Sequence, residues 1–318
     1  WSLFFIWEWL VMRRKYLFHE YFEEWMVLYK RGAIKQVTYD KYELTQRQIK
    51  TLAPTLLLSD LDRRAYQQLL NDYAATHEHQ TTMDFHHQLK SAIYDALDEG
   101  YLKKDPTRKA IIKGVVQRRH KMKYLNQGEL RRLFGVLNLE DEVNWDYFIL
   151  LLAKTGLRFG EALGLTPSDF DFRTQQLTID KTWNYKHYRG GFQSTKNQSS
   201  VRKISLDWQI ATQFAHLIKD LPEKEPIFID RTRRTHNDTA NHYLERKCKQ
   251  AQIPVISVHG LRHTHASILL YAGVLLASVA KRLGHANMTT TQKTYLHIIK
   301  ELDSKDNDKI MQCLMTLN

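Results

Sequence analysis

The stretch VHGLRHTHASILLYAG, residues 258–273, opens with a polar cluster and closes as an apolar run. From Leu261 onward, apolar residues fall at 261, 268, 269 and 272, with His265 on the same side. That spacing predicts one face of a helix, and Gly273 supplies its stop signal. The first turns carry His259, Arg262, His263 and His265. His259 and His263 stand four apart, which is metal-ligand spacing on a helix. An arginine in a first turn, beside free backbone N–H groups and the positive dipole end, points to an anion instead. The glutamate that follows the first histidine of an H-E-x-x-H site is absent, because Gly260 stands there, and no downstream acidic ligand completes a metal site. The stretch therefore favours an anion over a metal, and the rest of the chain must decide between them. His263 and His265 are expected to be structural, His265 on the apolar face.

Composition agrees with an anionic partner. The 318 residues carry a formal net charge of +12 and a pI near 9.5, with 43% apolar and 26% charged residues. A soluble chain of this length holds about two domains. Its basic excess favours nucleic acid first and an anionic membrane surface second. The two cysteines, Cys248 and Cys313, are far apart and unpaired by any C-x-x-C spacing. That excludes a disulfide scaffold and suits a reducing cytoplasm. The apolar start WSLFFIWEWLVMRRK is too short for a bilayer span, and its charges follow the apolar run rather than precede it. No membrane segment is predicted, and residues 1–14 read as the remnant of a longer N-terminus.

Outward from the opening stretch, the pattern divides the chain. Phe18, Phe22, Trp25, Met26 and Tyr29 mark an amphipathic helix ended by Gly32. A second helix is expected from a Thr38 cap to about Leu52, a third from a Ser59 cap, and a fourth over 81–99 stopped by Gly100. Residues 101–125 then hold nine basic residues against Asp105 alone. Lys109, Lys113, Arg118, Arg119, Lys121 and Lys123 belong to this run, which is either a solvated linker or a track for a phosphate backbone. Asn126 with Glu129 forms a capping-box signature, followed by helices near 127–137 and 143–156. Strands are expected at 175–183 and 202–206, around a turn at Gly190 and Gly191, and helices resume from about 208. The fold class is thus mainly α: a helical domain at 15–106, a basic linker at 107–125, and a mostly helical domain with a small antiparallel β-sheet at 126–318.

Three further segments of the second domain look unlike core. KTGLRFGEALGL (154–165) places Arg158 at the opening of a helix, with Glu161 three residues on. QSTKNQSSVRKISL (193–206) sets Lys196 on a Ser-rich loop before a strand. KRLGHANMTTTQKTYLHI (281–298) ends a helix at Gly284, with His285 in the turn and Tyr295 one short helix later. Singly, these read as a surface ion pair, a solvated lysine and a packed tyrosine.

As an ordered set they resemble the tyrosine recombinase (phage integrase) family, the integrases of temperate phages and conjugative transposons. TGLRFGEALGL resembles that family's first arginine box, HGLRHTHAS its H-x-x-R box, and LGHANMTTTQKTYLH its closing histidine-to-tyrosine segment. The helical domain resembles the family's core-binding domain, so the likeness covers nearly everything after residue 14. It implies a two-domain DNA clamp and a site-specific DNA recombinase that cuts and rejoins strands through a 3′-phosphotyrosyl ester. It also implies double-stranded attachment sites and a homotetramer on DNA, with an excisionase and a DNA-bending host factor as accessory partners, in a bacterial cytoplasm. Tyr295 would be the nucleophile, Lys196 would protonate the leaving 5′ oxygen, His259 would act as general acid or base, and His285 would bond the scissile phosphate. No metal or nucleotide cofactor is implied.

Elementary chemistry supports these roles. A phenol with a pKa of about 10 is a weak nucleophile until its proton can leave. Arg158 and Arg262, each expected in a first helical turn, offer planar forks for non-bridging phosphate oxygens and for transition-state charge. Residues 1–14 are too few for the arm-binding domain many such integrases carry. The T-K-x-x-x-S-x-R run from Thr195 to Arg202 selects Lys196 over Lys186 and Lys203. A tail stripe of Ile310, Met311, Leu314 and Leu317 suggests docking on a neighbouring protomer. Two rivals stay open: a binding protein of the same fold that no longer cuts, and a metal-dependent hydrolase.

Overall fold

The computed structural model describes residues 16–115, 124–140, 142–186, 190–195, 197–230, 236–292, 294, 295 and 315. The expectations for residues 1–14, Arg118, Arg119, Lys121, Lys123, Lys196, Cys313, Ile310, Met311, Leu314 and Leu317 lie outside them. The chain forms two compact units, Trp1–His120 and Lys121–Asn318.

Among its described residues, the first unit holds four α-helices: α1 (Phe18–Tyr29), α2 (Gln36–Leu52), α3 (Arg63–Ala74) and α4 (His79–Asp98). The stripe expected on α1 is the buried one, with Phe18 and Phe22 wholly inaccessible and Trp25 and Met26 nearly so. Burying each such side chain stabilises the fold by roughly 1.5–3 kcal/mol. Two caps differ from expectation. The cap position of α2 is Lys35, so Thr38 lies inside the helix. Ser59 sits in a short 3₁₀ turn, and Asp62 caps α3 by accepting from the backbone N–H groups of Arg64 and Ala65, both at 2.8 Å. A carboxylate reaching two free N–H groups is the stronger cap, and its charge also suits the dipole. Ala110 and Ile112 pack against this helical core, and the Gln67 side chain bonds both backbone groups of Ile111. Lys109 and Lys113 in the same stretch are exposed.

The second unit starts with α5 (Gln127–Gly135), whose Asn126–Glu129 capping box is present as expected. Its centre is α6 (Trp145–Thr155), buried on nearly every side, as a helix apolar all round must be. Short α7 (Phe159–Leu163) follows. Among the described residues, the β structure is antiparallel but forms two small sheets rather than one. The strands are β1 (Phe170–Asp171), β2 (Gln176–Ile179), β3 (Lys181–Trp183), β4 (Phe192–Ser194) and β5 (Arg202–Ser205). One sheet runs β1-β2-β5 with Leu177 opposite Ile204, and the other pairs β3 with β4. Then come α8 (Trp208–Leu217), α9 (Asn237–Gln250), α10 (Val258–Tyr271) and α11 (Leu276–Leu283). α10 packs along α6, which brings the opening histidine cluster beside the chain leaving the central helix. The mainly helical fold with small antiparallel sheets is the one expected. Among the described residues, no helix is long and apolar enough to cross a membrane.

Candidate active site

Two helix ends build the site. α6 ends at Gly156 (φ 69°) and α11 at Gly284 (φ 69°), both left-handed caps. An added Cβ would meet His265 Cδ2 at 2.7 Å at the first and an Arg202 guanidinium nitrogen at 2.9 Å at the second. Glycine is therefore required by conformation and by space at both positions. Helix C-termini present unpaired carbonyls and the negative end of the dipole, so they attract cations. Arg262 donates to the carbonyl of Gly156 and to that of Leu283, each at 2.7 Å. Arg158 donates to the carbonyl of Gly284 at 3.1 Å. The end of α11 thus holds both arginines that the sequence singled out, and the end of α6 holds Arg262 as well.

Neither arginine lies in a first helical turn as expected. The Ser257 side chain caps α10 by accepting from the Gly260 N–H, so the helix starts at Val258 and Arg262 falls on its second turn. Arg158 is the cap residue of α7. Helix C-termini, not N-termini, position both cations.

Glu161 is buried and joins the arginines. Its carboxylate accepts from Arg158 at 2.6 Å, from Arg202 at 3.0 Å and from the Arg158 backbone N–H at 3.0 Å. Burial alone would raise its pKa, but Arg202 and then Arg158 overcome that and hold it below the usual carboxylate value. The expected surface pair is instead a partly buried bridge, with Glu161 buried and Arg158 half-buried. Arg202 also donates to the backbone carbonyls of Arg282 and Ser200. In the sequence Arg202 serves only to close the run that selects Lys196 and to open a strand; its place beside Glu161 has no local signal.

Arg262 is almost wholly buried, and burial together with Arg158 pushes its pKa down to about 9, so it stays a cation at neutral pH. His285 sits in the turn after α11, where burial, Arg262, Arg158 and Arg202 push it down to about 4. It is therefore neutral at pH 7. Its Nδ1 lies 2.6 Å from the hydroxyl of buried Thr291. With that hydroxyl as donor, the ring proton sits on Nε2, free to donate elsewhere. Thr291 carried no distinguishing signal in the sequence.

Tyr295 lies on a helical turn and is 2% exposed. Burial pushes its phenol up to about 12, against the lowering effect of Arg262. Its hydroxyl is 3.0 Å from Nδ1 of His263. His259, expected to act beside Tyr295, instead meets His263 edge to face, with ring centroids 4.9 Å apart, and is itself exposed. Partial desolvation of its ring, then Arg262 and Arg158, hold its pKa below the ordinary histidine value. His265 is buried against the carbonyl of Ala153 at 3.0 Å and accepts at Nε2 from Arg282 Nε at 2.9 Å. Burial first and Arg282 second push it down to about 3. Among the described residues no three His, Cys, Asp or Glu side chains gather as a metal site would require.

Arg158, Arg262, His285 and Tyr295 thus lie in one place, with His259 at its rim, while Lys196 lies outside the described residues. The family model described as "Phage integrase family" matches residues 123–301, the whole of this site. The chain belongs to the phage integrase family. Like other tyrosine recombinases of the family, it is a site-specific DNA recombinase, a strand-transferring enzyme. The integrase of Staphylococcus phage L54a is 25% identical, with 92% of each chain covered. The ICEBs1 integrase of Bacillus subtilis is 24% identical over 69% of this chain and 62% of its own. Among solved structures, the fold matches the Tn1549 transposon integrase in complex with a circular intermediate DNA at a TM-score of 0.74. That likeness has 19% identity over 87% of this chain and 94% of the other. A lambda integrase tetramer bound to a Holliday junction matches at 0.63, with 18% identity over 85% and 78% of the two chains.

Proposed function

We propose that Tyr295 attacks the scissile phosphorus of an attachment-site duplex, forming a 3′-phosphotyrosyl ester and releasing a 5′ hydroxyl. Arg158 and Arg262 hold the non-bridging oxygens, His285 donates from Nε2, His259 serves as acid or base at the rim, and Lys196 protonates the departing oxygen. The observation that carries this reading is a pair of guanidiniums, Arg158 and Arg262, fixed together on the end of α11, with Arg262 near enough to Tyr295 to lower its phenol pKa. Fixed positive charge aimed at developing negative charge is the largest lever such a site has, because it needs no reorganisation during reaction. The ester conserves bond energy, so rejoining needs no nucleotide cofactor.

In this proposal residues 15–106 form the core-binding domain, 107–125 a basic linker and 126–318 the catalytic domain. Four copies exchange strands on DNA, with an excisionase and a host DNA-bending protein setting direction. The work is done in the cytoplasm of a bacterial host. Lys109, Lys113, Arg118, Arg119, Lys121 and Lys123 supply sequence-independent affinity that falls steeply with salt. Relatives solved on circular intermediate DNA and on a Holliday junction support the DNA and tetramer parts of the reading.

The test is covalent capture. Nicked duplexes randomised around the nick are incubated with the protein in EDTA, and SDS-stable adducts are recovered and sequenced. Adducts formed by the wild type and lost in Tyr295→Phe support the proposal. Binding without adducts favours a protein that no longer cuts, and cleavage abolished by EDTA favours a metal-dependent hydrolase.

A further inference from the structure

The sequence pattern gives His263 only a structural task, yet its side chain is the one that meets the nucleophile. Its Nδ1 lies 3.0 Å from the Tyr295 hydroxyl, with ring centroids 5.8 Å apart and planes at 65°. That is hydrogen-bond distance along a ring nitrogen, not a stacking contact. Histidine is the side chain whose ordinary pKa best suits proton transfer at neutral pH. Among the described residues, the groups around it include His259 from its own helix, His285 from the turn after α11, and Tyr295, with Arg262 one residue before it.

We propose that His263 is a catalytic residue, the proton acceptor for Tyr295, and that His259 acts separately at the exposed rim. This rests on the reading of Tyr295 as nucleophile. In the forward step the Tyr295 O–H proton passes to Nδ1 as the phenolic oxygen bonds to phosphorus. The bond from phosphorus to the 5′ oxygen breaks, and that oxygen takes its proton from the separate acid of the site. His263 then carries a positive charge. In the rejoining step the 5′ hydroxyl gives its proton back to that separate acid as its oxygen bonds to phosphorus, the tyrosyl oxygen leaves, and His263 returns the proton to it. The proton and electron count closes without any co-reactant.

A buried phenol needs such an acceptor. With the Tyr295 pKa near 12, the phenolate is only about one part in 10⁵ at pH 7. General-base help of this kind contributes about 10²–10⁴-fold in rate. His259 makes no corresponding bond: its ring meets His263 edge to face and leaves the hydroxyl to it.

The experiment follows adduct formation by the full chain on the captured nicked duplexes. His263→Ala is expected to slow it about 100-fold or more, with gel-shift affinity for the same DNA retained. Added imidazole should restore the rate in proportion to its free-base concentration, which a merely structural histidine would not allow. His263→Asn keeps a polar group near the Nδ1 position but cannot take the proton, and should stay slow. A 5′-bridging phosphorothiolate duplex, whose leaving group needs no acid, should leave both variants slow. Wild-type adduct rates in His263→Ala, or full recovery in His263→Asn, would overturn the assignment. Adducts that survive Tyr295→Phe would overturn the nucleophile reading and this one together.

Discussion

The guanidinium of Arg262 donates at 2.7 Å to the carbonyl of Gly156, the left-handed residue that closes α6. A second bond, to Leu283, ties the same group to the end of α11. One side chain therefore satisfies two helix ends and is immobilised by both. Lysine has a point charge and cannot span the two carbonyls in one plane. Arg262→Lys should lower adduct formation by about 100-fold, the order of loss seen when one fixed donor is removed. Single-turnover cleavage with saturating DNA measures it, and a loss below threefold would show that the fork geometry is dispensable.

Glu161 is a structural keystone as much as a site residue. Its 3%-exposed carboxylate faces Arg158 and Arg202 together. Glu161→Ala removes one partner of a buried charge cluster and should destabilise the second unit by about 3 kcal/mol. Urea unfolding followed by tryptophan fluorescence reads this directly. Cleavage should fall as well, because Arg158 loses the group that orients it.

Gly284→Ala tests the second helix end. The substitution must hold φ near 69° and bring a methyl to within 2.9 Å of the Arg202 guanidinium. About 1–2 kcal/mol of stability should be lost to the backbone alone. Arg158, bonded to this residue's carbonyl, should shift with it. Adduct formation is expected to fall further than the loss in folded fraction accounts for.

Acid should unfold the catalytic unit through its histidines. In the folded chain His265 titrates near 3 and His285 near 4, against about 6.5 when unfolded. Between those limits the unfolded chain binds protons that the folded chain refuses. Stability is therefore full above pH 6.5 and is lost as pH falls towards 3–4. For buried His265 the slope approaches 1.4 kcal/mol per pH unit. Urea midpoints between pH 8 and pH 5 should show the decline, and His265→Gln should reduce its steepness.

Much of this protein is written locally. The α1 stripe, the Asn126–Glu129 capping box, the glycine stops at 32, 100, 156, 273 and 284, and the strand at 202–205 all depend on residues within a few positions of each other. The order of Arg158, Lys196, His259, Arg262, His285 and Tyr295 is also written in the chain, and it resembles that of the family without any knowledge of the fold. Local signals failed where two short-range options competed, as at Thr38 against Lys35 and Ser59 against Asp62. Only the tertiary structure decided what the arginines hold and which histidine meets the nucleophile. The Arg262–Gly156 bond spans 106 residues and the His263–Tyr295 bond 32. Those pairings are set by how α6, α10 and α11 pack, and packing reflects side-chain volumes summed over the whole core rather than any spacing along the chain. Helical periodicity could place His259 and His263 one turn apart; it could not say which of them would face Tyr295.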